Sequence, residues 1–171
     1  MKVLTVDPYQ NIVPPSYEDD AGVDLCAATG PSIVGFRLNE KYWKTIDFIE
    51  YDTKVSIQPQ PSSSETGSVC SLLFPRSSIC NYNLTLANSV GVIDKGYTDS
   101  IKIRFKYVPQ PADYRIHDNW IFLEPDLSRI YQRTDKIAQL ILINPVALQL
   151  EEVEKLKSSE RGGKGFGSSG I

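Results

Sequence analysis

The chain is short of the side chains that most often carry metal and nucleophile chemistry. Of its 171 residues one is histidine, His117, and three are cysteine. A lone imidazole with no cysteine nearby in the chain reads as a surface or loop residue and argues against Ser-His-Asp and Cys-His catalysis. Cys26, Cys70 and Cys80 are odd in number and lack Cys-x-x-Cys spacing, which argues against a structural zinc and fits reduced thiols inside a cell. No apolar run reaches bilayer-crossing length, and no basic stretch leads into an apolar one at the N-terminus. A soluble protein of the cytoplasm or nucleus is expected, which makes the Asn83-Leu84-Thr85 glycosylation pattern accidental. Positive charge is not in excess either. A formal net charge of −3 leaves no general affinity for nucleic acid, so phosphate recognition has to come from local clusters.

Sustained helical periodicity is also missing. Short β-rich runs follow one another at Lys2 to Val6, Ser32 to Leu38, Lys44 to Ile49, Lys54 to Ile57, Ser68 to Phe74 and Lys136 to Ile143, with Gly and Pro between them. Trp120 and Phe122 mark a further strand. The pattern predicts a single all-β domain over 1–160, a sandwich or barrel, followed by a Gly-rich arm over 161–171. Gln58 to Gly67 reads as an exposed loop. Glu151 to Ser159 is open between a short charged helix and a strand continuation.

Residues 91 to 101 are the most informative stretch. An apolar run of Val90, Val92 and Ile93 meets an Asp94-Lys95-Gly96 turn signal. Strict alternation then follows, with Ile101, Ile103, Phe105 and Tyr107 on one face and Lys102, Arg104 and Lys106 on the other. This predicts a β-hairpin with a carboxylate at its tip, Gly96 supplying positive φ and Asp94 and Tyr97 flanking the bend. Such a hairpin offers backbone N–H and C=O groups to a planar polar ligand. On its own, however, Asp94 is an ordinary turn residue.

Four further strings stand around it: Ala21-Gly-Val-Asp24-Leu-Cys-Ala27, Pro75-Arg76-Ser77-Ser78, Lys136-Ile-Ala-Gln139-Leu and Arg161-Gly-Gly-Lys-Gly-Phe166-Gly-Ser-Ser-Gly170. With the hairpin stretch third, the five resemble in order the motifs of the trimeric dUTPase family, which hydrolyses dUTP to dUMP and pyrophosphate. The resemblance spans Ala21 to Gly170. It implies a distorted jelly-roll or β-sandwich, a homotrimer with sites between subunits, Mg²⁺ as cofactor and a C-terminal arm that closes over the ligand.

The resemblance also implies roles for individual residues. Asp94 would hold the water that attacks the α-phosphorus. Arg76, Ser77 and Ser78 suit phosphate oxygens, through forked and hydroxyl donors. Tyr97 would pack under deoxyribose and exclude a 2′-hydroxyl, and Asn88, Gly91, Val92, Ile93 and Lys102 would line the nucleoside. Gln139 would support phosphate binding, and Asp24 would reach the metal through water. Arg161 would reach the γ-phosphate and Phe166 would stack on uracil, with Gly167, Ser168 and Ser169 as donors. The arm is neither a Walker loop nor a dinucleotide fingerprint.

Three positions depart from the common pattern. Thr98-Asp99 puts a carboxylate where a glycine is usual, Lys136 replaces an arginine, and Gly163-Lys164 adds a cation to the arm. Two segments, about 36–67 and 109–133, read as surface insertions. Rival readings are a dCTP deaminase relative, for which the expected glutamate is missing, and a regulatory protein that binds a partner through the insertions.

Overall fold

The computed structural model describes residues 3–7, 9–60, 69–117, 119–146, 148–155 and 157–159. Thirteen strands run through them: β1 (Val3–Asp7), β2 (Ile12–Val13), β3 (Val23–Cys26), β4 (Ser32–Arg37), β5 (Trp43–Asp52), β6 (Ser56–Gln60), β7 (Cys70–Pro75), β8 (Leu84–Leu86), β9 (Gly91–Ile93), β10 (Lys102–Tyr107), β11 (Tyr114–His117), β12 (Trp120–Leu123) and β13 (Lys136–Ile143). Helical structure among the described residues is limited to short 3₁₀ turns. The all-β reading holds, and the Lys136 to Ile143 strand has the expected bounds.

All pairings are antiparallel. A five-stranded sheet has the order β2-β3-β13-β7-β9, and a six-stranded sheet the order β11-β12-β5-β10-β8 with β4 on the other edge of β5; β1 and β6 form a separate pair. Alternation along each strand explains how the larger sheets meet. Leu25, Leu73, Ile93, Ala138 and Leu140 from the first join Ile49, Tyr51, Leu84, Leu86, Ile103 and Phe105 from the second in one buried cluster. This makes a β-sandwich. Along β10 burial alternates at every residue, as the sequence predicts.

At the centre of the core lie aromatic rings. Tyr51 and Phe105 meet edge to face at 5.8 Å, and Tyr131 lies 5.4 Å from Phe105. The Tyr51 hydroxyl donates to the Tyr131 carbonyl at 2.9 Å. Tyr107 donates to the buried Asp113 carboxylate at 2.7 Å. Burial pushes the Tyr131 phenol up to about 12; burial and then the Asp113 bond do the same to Tyr107.

The two segments read as insertions end up side by side. The β4–β5 hairpin and the β11–β12 hairpin join through the Leu123–Trp43 pair. Glu124 ties them further, bridging Lys41 and Arg115 at 2.7 Å each.

Three expectations need correction. Gln58–Gln60, assigned to a loop, continue β6 because β1 supplies a partner strand. The described part of 151–159 is neither helix nor strand: Glu151, Glu152, Glu154 and Lys155 are exposed and half-exposed Val153 offers too little apolar surface to hold a short element. Most important, β9 and β10 are not a hairpin. β9 pairs with β7 in one sheet, and β10 with β5 and β8 in the other.

Candidate active site

The separation of β9 from β10 creates the cleft that the hairpin reading missed. Residues 94–101 carry the chain from one sheet to the other, and the gap they leave is a cavity of about 450 Å³. Its apolar wall is Leu73, Leu86, Ala87, Ile93, Ile101 and Ile103; Asn88, Gly91, Val92, Asp94, Tyr97, Lys102 and Arg104 complete it. Seven residues singled out from the sequence therefore meet in one place: Asn88, Gly91, Val92, Ile93, Asp94, Tyr97 and Lys102. β9 is the edge strand of its sheet, so one row of its backbone groups has no strand partner among the described residues.

The bend at the mouth is built locally. The Tyr97 N–H donates to the Asp94 carbonyl at 3.0 Å, and the Tyr97 hydroxyl reaches the Ser100 carbonyl at 2.9 Å. Ser100 in turn donates to Asp52, which pairs with Lys54 at 2.8 Å, so the end of β5 anchors the loop. Although burial pushes the Asp52 carboxyl up, the bonds from Lys54 and Ser100 outweigh it and hold the group below its usual range. The Asp99 carboxylate accepts the Ser100 N–H at 2.7 Å, so it caps the loop. Gly96 does not take the expected positive φ, and a Cβ there would meet nothing within 4 Å. The bend does not depend on glycine.

A second cluster forms on β3, β13 and β7. Gln139 stands opposite Asp24 on one side and Phe74 on the other, while Arg76 follows directly on β7. Arg76 Nε lies 2.9 Å from Asp24 Oδ1, and Lys136 Nζ 3.1 Å from Asp24 Oδ2. Gly22 allows this close strand packing: a Cβ on it would stand 2.5 Å from the Leu140 carbonyl oxygen. Ser77 and Ser78 start the 3₁₀ turn after Arg76. Burial raises the Cys26 thiol, against the lowering effect of Lys136. Lys136 thus joins the cluster directly; the sequence marked it only as a departure from pattern. Arg104 was missed altogether, since on an alternating strand it reads as an outward-facing cation.

One chain does not unite the two groups. β9 is antiparallel to β7, with Ile93 opposite Ser71, so Asp94 lies at the start of β7 and Arg76 just past its end. Asp24 and Asp94 are three strand spacings apart sideways and about four residues apart lengthwise, roughly 20 Å in all. Asp94 and the Asp24–Arg76–Lys136 cluster therefore stand well apart within one chain. Arg161, Phe166, Gly167, Ser168 and Ser169 lie outside the described residues.

The fold and these two clusters define a β-sandwich protein with a cleft between its sheets and a separate group of charged side chains on neighbouring strands. The family model described as dUTPase matches residues 128–170. The deoxyuridine 5'-triphosphate nucleotidohydrolase of Clostridium kluyveri is 31% identical over 156 residues, 91% of this chain and 87% of its own length. That of Clostridium acetobutylicum is 26% identical over 172 residues, 100% of this chain and 97% of the relative. The chain belongs to the dUTPase family. In fold it is similar to the dUTPase of Staphylococcus bacteriophage 80alpha with dUPNHPP, at TM-score 0.69 and 23% identity over 99% of each chain. A dUTPase from phage phi11 of S. aureus, described with a structural Mg(II) ion, aligns at TM-score 0.60 and 20% identity over 90% of this chain and 97% of that one.

Proposed function

We propose that the protein hydrolyses dUTP to dUMP and pyrophosphate by attack of water on the α-phosphorus. The observation that carries this reading is the β9/β10 cleft. It joins an apolar wall, an unpaired strand edge and a carboxylate at the mouth, which suits a ligand with a flat polar base at one end and a reacting phosphate at the other. Uracil presents a ring N–H between two carbonyls. A backbone edge matched to that pattern leaves cytosine with a misplaced donor and acceptor, so selectivity follows from unpaired polar groups in the wrong complex. Tyr97, held to Ser100, would pack under the sugar. Asn88, Gly91, Val92, Ile93 and Lys102 would line the nucleoside.

Asp94 orients the attacking water and accepts its proton, with the reacting atoms held in line. Arg76, Ser77, Ser78 and Gln139 serve the phosphates. Because Arg76 is far from Asp94 within the chain, a complete site takes its two halves from different subunits. The reading therefore includes a homotrimer, the stoichiometry implied by the family resemblance. Arg161, Phe166, Gly167, Ser168 and Ser169 would close the site as the arm. The resemblance implies Mg²⁺, but the described residues contain no group of three or more His, Cys, Asp or Glu side chains able to hold a metal, and both oxygens of Asp24 face cations. Among the described residues, then, the Asp24 surroundings are not those of a metal ligand set.

Incubation with dUTP, dCTP and dTTP tests the reading: dUMP and pyrophosphate from dUTP alone are expected, and deamination of dCTP or no turnover of any would overturn it. Asp94→Asn should keep dUTP binding and lose turnover by about 100-fold or more; near-normal rates would remove Asp94 from the chemistry.

A further inference from the structure

The resemblance ties Asp24 to a metal, yet its surroundings in this chain are those of an anion already matched with cations. One carboxylate oxygen takes Arg76 Nε at 2.9 Å and the other takes Lys136 Nζ at 3.1 Å. The carboxylate side chain is 14% exposed and the two cations 28% and 38%, so the trio is partly screened but not bathed in solvent. Within the trio two positive groups surround one negative group, a net charge of +1; the nearby Asp135 carboxylate acts more weakly on the Cys26 thiol than any of the three and is engaged by the Gln132 N–H at 2.7 Å. A divalent cation arriving here meets two like charges for one carboxylate, whereas an anion meets the reverse.

The trio is also held by backbone. Asp24 and Gln139 are cross-strand partners, Lys136 is opposite Cys26, and Arg76 immediately follows the β7 residue paired with Ala138. The two cations are therefore presented from different strands toward one point, and the carboxylate occupies that point. Carboxylate and phosphate accept charge-assisted hydrogen bonds from such donors in the same way.

We propose that Asp24 stands in for a substrate phosphate in the resting protein. Its carboxylate keeps Arg76 and Lys136 converged, and an incoming phosphate chain displaces it from Arg76. Lys136 is the positioning residue in this exchange: it retains one carboxylate oxygen while Arg76 changes partner. The inference deepens the dUTP reading and rests on it for the identity of the phosphate chain. It also makes the free protein an anion site rather than a resident Mg²⁺ site.

The test is calorimetric titration of the full-length protein with inorganic pyrophosphate in EDTA, and separately with Mg²⁺ alone. Asp24→Asn removes the internal competitor and should bind pyrophosphate about fivefold tighter than the parent, the size of a partly screened ion pair. Lys136→Gln removes the cation that holds the carboxylate when Arg76 changes partner, leaving Asp24 to compete for Arg76 and repel the anion, and should bind it more weakly. Mg²⁺ alone should give no binding to the parent. Loss of fold would weaken both variants, so the opposite signs separate the proposal from simple destabilisation. Unchanged or weaker pyrophosphate binding by Asp24→Asn overturns the idea, as does Mg²⁺ uptake by the parent that this substitution abolishes. A protein that turned over no dUTP but showed the opposite shifts would lose the substrate reading and keep the exchange.

Discussion

If Asp94 and the Arg76 cluster of one working site lie on different subunits, two inactive variants should rescue one another. Asp94→Asn chains lack the base and keep the phosphate cluster; Arg76→Ala chains do the opposite. The roughly 20 Å between Asp24 and Asp94, set by strand spacing and rise, prevents one chain from supplying both halves. When the variants are co-expressed in equal amounts and mix at random, a site is intact if its base comes from an Arg76→Ala chain and its cluster from an Asp94→Asn chain. Each event has even odds, so about a quarter of sites should be complete in a closed symmetric assembly. The assay is dUTP turnover of doubly tagged, mixed oligomers, compared with each variant alone and with unmutated protein carried through the same purification. Each variant alone should be nearly silent; selection through both tags removes the roughly one quarter of trimers built from one variant only, so the mixed trimers, with one complete site in three, should recover about a third of the unmutated rate. Mixed oligomers no more active than their parents would refute the split site and with it the placement of Asp94 opposite a neighbour's Arg76.

Two further outcomes follow from the fold itself. Gly22→Ala would drive a Cβ to within 2.5 Å of the Leu140 carbonyl oxygen; strand separation should lower stability by about 1–3 kcal/mol, read from urea midpoints, and an unchanged midpoint would contradict the close approach of β3 to β13. Alkaline pH should also destabilise the protein. Tyr107 and Tyr131 keep their protons to about pH 12 in the folded state, whereas unfolded phenols release theirs near 10. The folded form therefore holds more protons across that window, and stability should fall as pH rises through it, by on the order of 1–2 kcal/mol per buried phenol. Thermal midpoints from pH 9 to 11 measure this, and Tyr131→Phe should flatten the slope.

What was legible in the sequence was local. Alternation along Lys102 to Tyr107 determined which side chains enter the core, because a strand's side chains have a period of two whatever it pairs with. The β-branched and apolar run from Lys136 to Ile143 marked a buried strand. The order of five short strings identified the family, and the Asp94 bend was visible from its turn residues. Backbone conformations that depend on packing were not visible: Thr134 sits at φ 76 and Lys54 at φ 54, although neither residue type favours the left-handed region.

Partner choice belonged to the tertiary structure alone. An Asp-Lys-Gly turn between two apolar runs reads as a hairpin, but pairing is decided by which sheet offers each strand a complementary edge, and β7 and β5 took β9 and β10 apart. That separation opened the cleft, brought two distant segments together at Leu123 and Trp43, and set Asp94 and Arg76 at opposite ends of one strand. Side-chain chemistry is written residue by residue, whereas the distance between two residues in one chain depends on long-range pairings that no short stretch encodes.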